Sequence, residues 1–159
     1  MSIIEQEIGD LLRKKRMTLG LVESATGGLI SHRITNVPGS SDYYKGSVTA
    51  YSNEAKARIV GVDEATIDQH GAVSARVAEE MAEGGRKLLV VDVCLADTGV
   101  AGPGGATQEK PAGLFYLGLS VKDETYSRQH NCAGNREQNK RDAAEAALKW
   151  LKEYLLNLK

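Results

Sequence analysis

The run LLVVDVCLA at residues 88–96 constrains this chain more than any other segment, because only Asp92 interrupts its apolar side chains. A strand with one wet face alternates polar and apolar residues. This one does not, so it must be covered on both faces, which favours a largely parallel sheet with helices on either side. The flanking segments supply those helices and strands. Ile4, Ile8, Leu11 and Leu12 repeat at helical spacing behind a Ser2/Glu5 capping-box pattern, which predicts a helix over 3–15. Met17 to Val22 reads as a buried strand, Glu23-Ser24-Ala25-Thr26-Gly27-Gly28 as a glycine turn, and the residues to about Thr35 as a second helix. Pro38 and Gly39 mark a turn before an alternating stretch from Lys45 to Tyr51, and helices follow at 53–60, at 63–70 and from the N-cap Ser74 to about Leu88. Beyond the 88–96 run, strands at 114–121 and 125–132 share the tight turn Lys122-Asp123-Glu124, a C-terminal antiparallel hairpin. Asn135 with Gln138 repeats the capping box and opens a last helix through about Leu156.

At 159 residues, one domain spanning 1–159 can bury its own core. The formal net charge of −1 and the lack of a basic stripe with interleaved aromatics give no general attraction to nucleic acid or to an anionic membrane. Two cysteines, Cys94 and Cys132, do not make a disulfide framework and fit a reducing cytoplasm. Glu5, Glu7 and Asp10 interrupt the N-terminal apolar positions, which fits neither a signal peptide nor a membrane span. The expected protein is cytoplasmic.

In open α/β sheets, ligands sit beyond the carboxyl ends of the parallel strands. Here those ends lead into 23–28, Tyr51-Ser52-Asn53 and Asp97-Thr98-Gly99, each rich in hydroxyls or glycine. Ser24, Thr26 and Gly27 open a helix whose first N–H groups could hold a phosphate, unless Ser24 or Thr26 simply caps it. The loop VAGPGGATQEKPAG, which includes Gly102, matches neither a P-loop nor a dinucleotide fingerprint, yet its backbone N–H groups could face an oxyanion. Otherwise it is a rigid connector. His32, His70 and His130 are far apart and lack neighbours at ligand spacing, so no metal site is expected. Arg136, at a helix end that favours anions, points to a ligand phosphate or a carboxylate, or is merely solvated.

Residues 41–56, SDYYKGSVTAYSNEAK, place serines, Tyr51 and Lys56 within one short stretch. Serine needs a base to act as a nucleophile, and a desolvated lysine can be that base. The alternative is that Ser41 and Ser52 sit in turns or caps while Lys56 is solvated.

Together, ESATGG (23–28), PGSS (38–41), YSNEAK (51–56), HGAVS (70–74), TGVAGPGG (98–105) and EKPAG (109–113) resemble the CinA C-terminal domain family along nearly the whole chain. The resemblance implies a three-layer α/β/α sandwich on a mixed, mostly parallel sheet. It also implies hydrolysis of nicotinamide mononucleotide to nicotinic acid mononucleotide and ammonia, with no cofactor. On the same ground Ser41 is the expected nucleophile, Lys56 and Tyr51 its activators, and Thr98 and Arg136 further contacts. Ser24, Thr26, Gly27 and Gly102 complete the expected binding set. Two residues depart from the family's usual pattern: Ala25 stands where a cysteine is common, and Asp97 where an uncharged residue is usual. A carboxylate near an oxyanion would oppose it, which keeps a non-catalytic nucleotide-binding or regulatory module as the alternative.

The Ser41 assignment carries a geometric condition. A strand over 46–51 spans roughly 20 Å at about 3.3 Å per residue. Residues 40–45 must therefore fold back along it, or Ser41 must meet Lys56 of another subunit in a homo-oligomer. Ser52 is the rival, with helix capping as its simpler role.

Overall fold

The last part of the apolar run, Val93 to Ala96, lies at the centre of a five-stranded sheet. In the computed structural model, which describes residues 3–159, the strands are β1 (Leu19–Glu23), β2 (Tyr44–Thr49), β3 (Val93–Gly99), β4 (Leu114–Val121) and β5 (Glu124–Asn131). They pair in the order β2-β1-β3-β4-β5. The first three are parallel, whereas β4 is antiparallel to β3 and β5 to β4, so every strand except β4 points the same way. The helices are α1 (Ile4–Lys15), α2 (Leu29–Thr35), α3 (Asn53–Val60), α4 (Glu64–His70), α5 (Ala75–Leu89) and α6 (Arg136–Asn157).

Alternation along the central strands divides the core in two. Leu19 and Leu21 of β1 and Val93 and Leu95 of β3 join α1, α2 and α6 on one face. Val22, Cys94 and Ala96 point the other way, against Val60, Val77, Met81 and Ala82 of α3 and α5. These are the helical layers of an α/β/α sandwich. Truncating Leu95, which is fully buried, should cost about 2–5 kcal/mol. At Gly118 of β4 an added Cβ would lie 2.1 Å from the Ala78 carbonyl oxygen, so glycine is what lets α5 pack against the sheet.

The strand begins later than its composition suggests. Leu88 and Leu89 finish α5, and Val90 closes that helix in the left-handed region (φ 53°, ψ 58°). Leu89 packs on the second core face as a helical residue, so its hydrophobicity belongs to α5. Asp92 then pins the start of β3: its carboxylate accepts from the Thr18 N–H (2.8 Å) and hydroxyl (2.9 Å). The capping box expected from Ser2 lies outside the described residues. Glu5 pairs with Arg33 at 2.5 Å. The Asn135/Gln138 capping box is present, as are the caps by Ser52 and Ser74. Among the described residues no helix is long and apolar enough to cross a membrane.

This topology positions the site. The chain leaves β1 for β2 on one side and returns to β3 on the other, so a crevice opens beyond the carboxyl end of β1.

Candidate active site

At that crevice Glu23, the last residue of β1, is fully buried. Its carboxylate accepts hydrogen bonds from the backbone N–H groups of Gly28 (3.2 Å), Ile30 (2.8 Å) and Ser31 (2.9 Å), and from the Ser31 hydroxyl. Neither Ser24 nor Thr26 caps α2, as the sequence had suggested; Glu23 does. The Thr26, Gly27 and Leu29 N–H groups are also taken, by Asp97, the Ser24 carbonyl and the Thr26 carbonyl. The expected phosphate cradle is therefore filled by the protein's own acceptors. Thr26 and Gly27 border a separate hollow of about 470 Å³ with Lys140 and Arg141.

Ser24 faces the crevice itself. It lines a cleft of about 270 Å³ with Ala25, Tyr51, Lys56, Thr98 and Arg136. The Lys56 ammonium, on a side chain only 2% exposed, lies 2.9 Å from Ser24 Oγ and 2.9 Å from the Tyr51 carbonyl oxygen. Burial lowers the pKa of Lys56, and the nearby Asp97 carboxylate only partly opposes that. A neutral Lys56 amine would present a lone pair to the Ser24 hydroxyl. That is the arrangement of a serine with its base.

Asp97 is fully buried directly behind Ser24. Its Oδ1 accepts from the Ser24 N–H (3.1 Å) and its Oδ2 from the Thr26 N–H (3.2 Å). The carboxylate therefore faces the backbone of the serine turn and holds it. Burial pushes the Asp97 pKa up to about 6, with bonds from Thr26 and Ser24 pulling it down and the charge of Glu23 adding to the rise. The Thr26 hydroxyl lies 2.7 Å from Glu23 Oε1 and 2.5 Å from Asp97 Oδ1, but it has one hydrogen to give. With both carboxyls ionised Thr26 can donate to only one of them, and protonation of Asp97 below about pH 6 lets both contacts become hydrogen bonds.

The remaining wall is tied together by long-range bonds. Arg136 donates to the Gly102 carbonyl (2.8 Å) and to the Tyr51 hydroxyl (3.2 Å), bringing the start of α6 to the glycine loop and to the end of β2. Gly102 has φ 86°, a left-handed backbone, and an added Cβ would lie 2.8 Å from the Ala112 Cβ. The Thr98 hydroxyl donates to the Ala72 carbonyl (2.8 Å), while the Lys110 ammonium bonds the His70 and Val73 carbonyls. The Ala25 N–H, beside Ser24, has no hydrogen-bond partner among the described residues.

Ser41 is elsewhere. It is exposed in the 3-10 turn Ser40–Asp42, before β2, whereas Lys56 lies beyond the other end of that strand. The turn does not fold back: Asp42 and the Gly39 carbonyl are held by Arg13 of α1 at 3.0 and 3.1 Å. The pairing of Ser41 with Lys56 expected from sequence is thus absent within the chain. Ser52 caps α3 through the Ala55 N–H (3.0 Å). The serine at Lys56 is Ser24, 32 residues earlier, brought there by the parallel register that sets Glu23 opposite Thr49. The convergence of three strand ends contained that signal; closeness in sequence concealed it.

A family model described as the CinA C-terminal domain matches residues 1–155. The chain belongs to this family. A CinA-like protein of Salinibacter ruber is 50% identical over 145 residues, 91% of this chain and 35% of that protein. A putative competence-damage inducible protein of Halothermothrix orenii is 48% identical over 153 residues, 96% of this chain and 37% of that one. The chain thus spans little more than a third of the length of these CinA relatives. Among solved structures, the competence damage-inducible protein A (ComA) of Klebsiella pneumoniae superposes with a TM-score of 0.95 at 28% identity, covering 98% of this chain and 97% of that one. The competence/damage inducible protein CihA of Agrobacterium tumefaciens gives 0.89 at 30% identity, covering 99% and 100%. The CinA fold is the mixed α/β architecture described above.

Proposed function

We propose that this CinA domain hydrolyses the carboxamide of nicotinamide mononucleotide, giving nicotinic acid mononucleotide and ammonia, with Ser24 as nucleophile and Lys56 as its base. The observation that carries this reading is the buried Lys56 ammonium 2.9 Å from Ser24 Oγ in an open cleft. Neutral Lys56 takes the Ser24 proton as Oγ attacks the carboxamide carbon, which the pyridinium ring makes electron-poor. In this reading the Ala25 N–H, which has no partner among the described residues, receives the oxyanion, as is usual for the residue after a nucleophile. Lys56 returns the proton to the leaving nitrogen, the C–N bond breaks and ammonia departs. Water then attacks the ester carbon, giving its proton to Lys56, and the acid leaves as Ser24 Oγ is reprotonated. Tyr51 serves through two atoms: its carbonyl orients Lys56, and its hydroxyl holds Arg136. With the N-terminus of α2 already satisfied, Arg136 is the cation at the cleft for the substrate phosphate.

Purified protein given nicotinamide mononucleotide should release ammonia and nicotinic acid mononucleotide in equal amounts without added metal. Failure of wild-type protein to form either product would overturn the reading. The length of the relatives favours a second one, in which the domain binds a nucleotide on behalf of a longer protein. Calorimetric binding of the mononucleotide without turnover would select it.

A further inference from the structure

Strand β5 ends at His130-Asn131 and Cys132 follows directly, so that His130 and Cys132, two residues apart, meet on one side. There they meet Asp142 of α6. His130 Nε2 lies 3.3 Å from Asp142 Oδ2, and a ring nitrogen, Cys132 Sγ and a carboxylate oxygen all fall within 4.8 Å of one another. We propose that His130, Cys132 and Asp142 bind a divalent transition-metal ion, with zinc as the best match, at a three-ligand site with an open fourth position beside the wall of the cleft.

The donor set is the first argument. Imidazole, thiolate and one carboxylate suit zinc, whereas magnesium and calcium take oxygen shells. Geometry is the second. In a tetrahedral site with zinc–nitrogen and zinc–oxygen bonds of about 2.0–2.1 Å, those two donors stand roughly 3.3–3.4 Å apart. That matches His130 and Asp142. A zinc–sulfur bond of about 2.3 Å asks the sulfur to lie about 3.6 Å from each partner, against separations within 4.8 Å, so each distance closes by up to about 1.2 Å. Charge is the third argument. A thiolate and a carboxylate would neutralise the ion, with the exposed Asp142 side leaving the fourth position to solvent.

Without an ion, burial and the facing Asp142 carboxylate push the Cys132 thiol up to about 12, so it stays protonated and donates to the Asn139 carbonyl at 3.6 Å. Metal binding would form the thiolate and release that proton to solvent. The pair His130 and Cys132 goes unnoticed in the sequence because an H-x-C spacing at a strand end is foreign to helical metal motifs. The site is close to the cleft but outside the reacting atoms. Cys132 packs with Ala25, Ala101 and Ala143, and Asn139 also holds the Ala101 carbonyl through its side chain (3.0 Å). An ion here would clamp the end of β5 to the helical turns that anchor the glycine loop.

Cobalt(II), a spectroscopic stand-in for zinc, tests this in the full chain. Wild-type protein should develop a thiolate-to-cobalt charge-transfer band and the visible bands of a tetrahedral ion, saturating at one cobalt per chain and displaced by zinc. Cys132→Ser should lose the charge-transfer band, while Cys94→Ser, altered in the opposite core layer, keeps it. Asp142→Asn, at an exposed position, should weaken binding more than about tenfold. Zinc should also raise the melting temperature of wild type and leave that of Cys132→Ser unchanged. No charge-transfer band in folded wild-type protein at excess cobalt, or a band that survives Cys132→Ser, would overturn the site. Neither outcome bears on ammonia release.

Discussion

Two serine turns in this molecule invite the same chemical interpretation, and their surroundings separate them. Ser24 follows a parallel central strand, is nearly buried, and has Asp97 behind it and Lys56 in front. Ser41 precedes an outer strand, stands in solvent, and belongs to a turn held by Arg13. Ser41 is closer to Lys56 in sequence, but β2 carries the chain away from it. A strand places its two ends far apart and the carboxyl ends of its parallel neighbours together. For residues flanking a strand, direction therefore outweighs proximity in sequence.

The largest expected effect that sharpens this contrast comes from Lys56→Ala. Loss of the base should lower ammonia release about 100- to 10,000-fold, measured as kcat under saturating substrate. A variant retaining near-wild-type kcat would remove the distinction between the two turns.

Next is the buried charge behind Ser24, which has no counterpart at Ser41. The folded pKa of Asp97 stands near 6 against an ordinary 3.8, so between those values the native state holds more protons than the unfolded state. Stability from this group is then fully present below about pH 4 and is lost as the pH rises through about 6. The difference amounts to about 3 kcal/mol. Urea unfolding at several pH values should show Asp97→Asn flattening the slope in that window. An unchanged slope would mean that Asp97 is not the titrating group.

Arg136→Gln removes a charged bridge between the glycine loop and Tyr51. A charged hydrogen bond to substrate contributes about 1.5–3 kcal/mol, so KM should rise roughly tenfold or more. A change confined to kcat would place Arg136 with the chemistry instead. The smallest effect is expected from Ser52→Ala, which should cost about 1 kcal/mol in thermal unfolding through loss of its cap and leave kcat unaltered. A large fall in kcat would restore Ser52 as a participant.

The sequence made much of the frame legible. An apolar run broken only by Asp92 marked β3, and Asn135, Ser74 and Ser52 announced three helices through local hydrogen bonds that need no tertiary context. The meeting of the three strand ends was legible for the same reason, since topology follows from the order of strands and helices. What escaped is long-range or register-dependent. Glu23 capping α2 depends on a side chain reaching up to eight residues ahead, and Asp97 seemed an obstacle until its hydrogen bonds were visible. Leu88 and Leu89 look like strand residues because composition does not reveal which periodicity a short apolar run follows.

Ammonia release by Ser24→Ala and Ser41→Ala, measured side by side with wild type, tests the central claim most directly. The account predicts that Ser24→Ala loses activity at least 100-fold while Ser41→Ala stays within about twofold of wild type. Loss of activity in Ser41→Ala with activity retained in Ser24→Ala would contradict it.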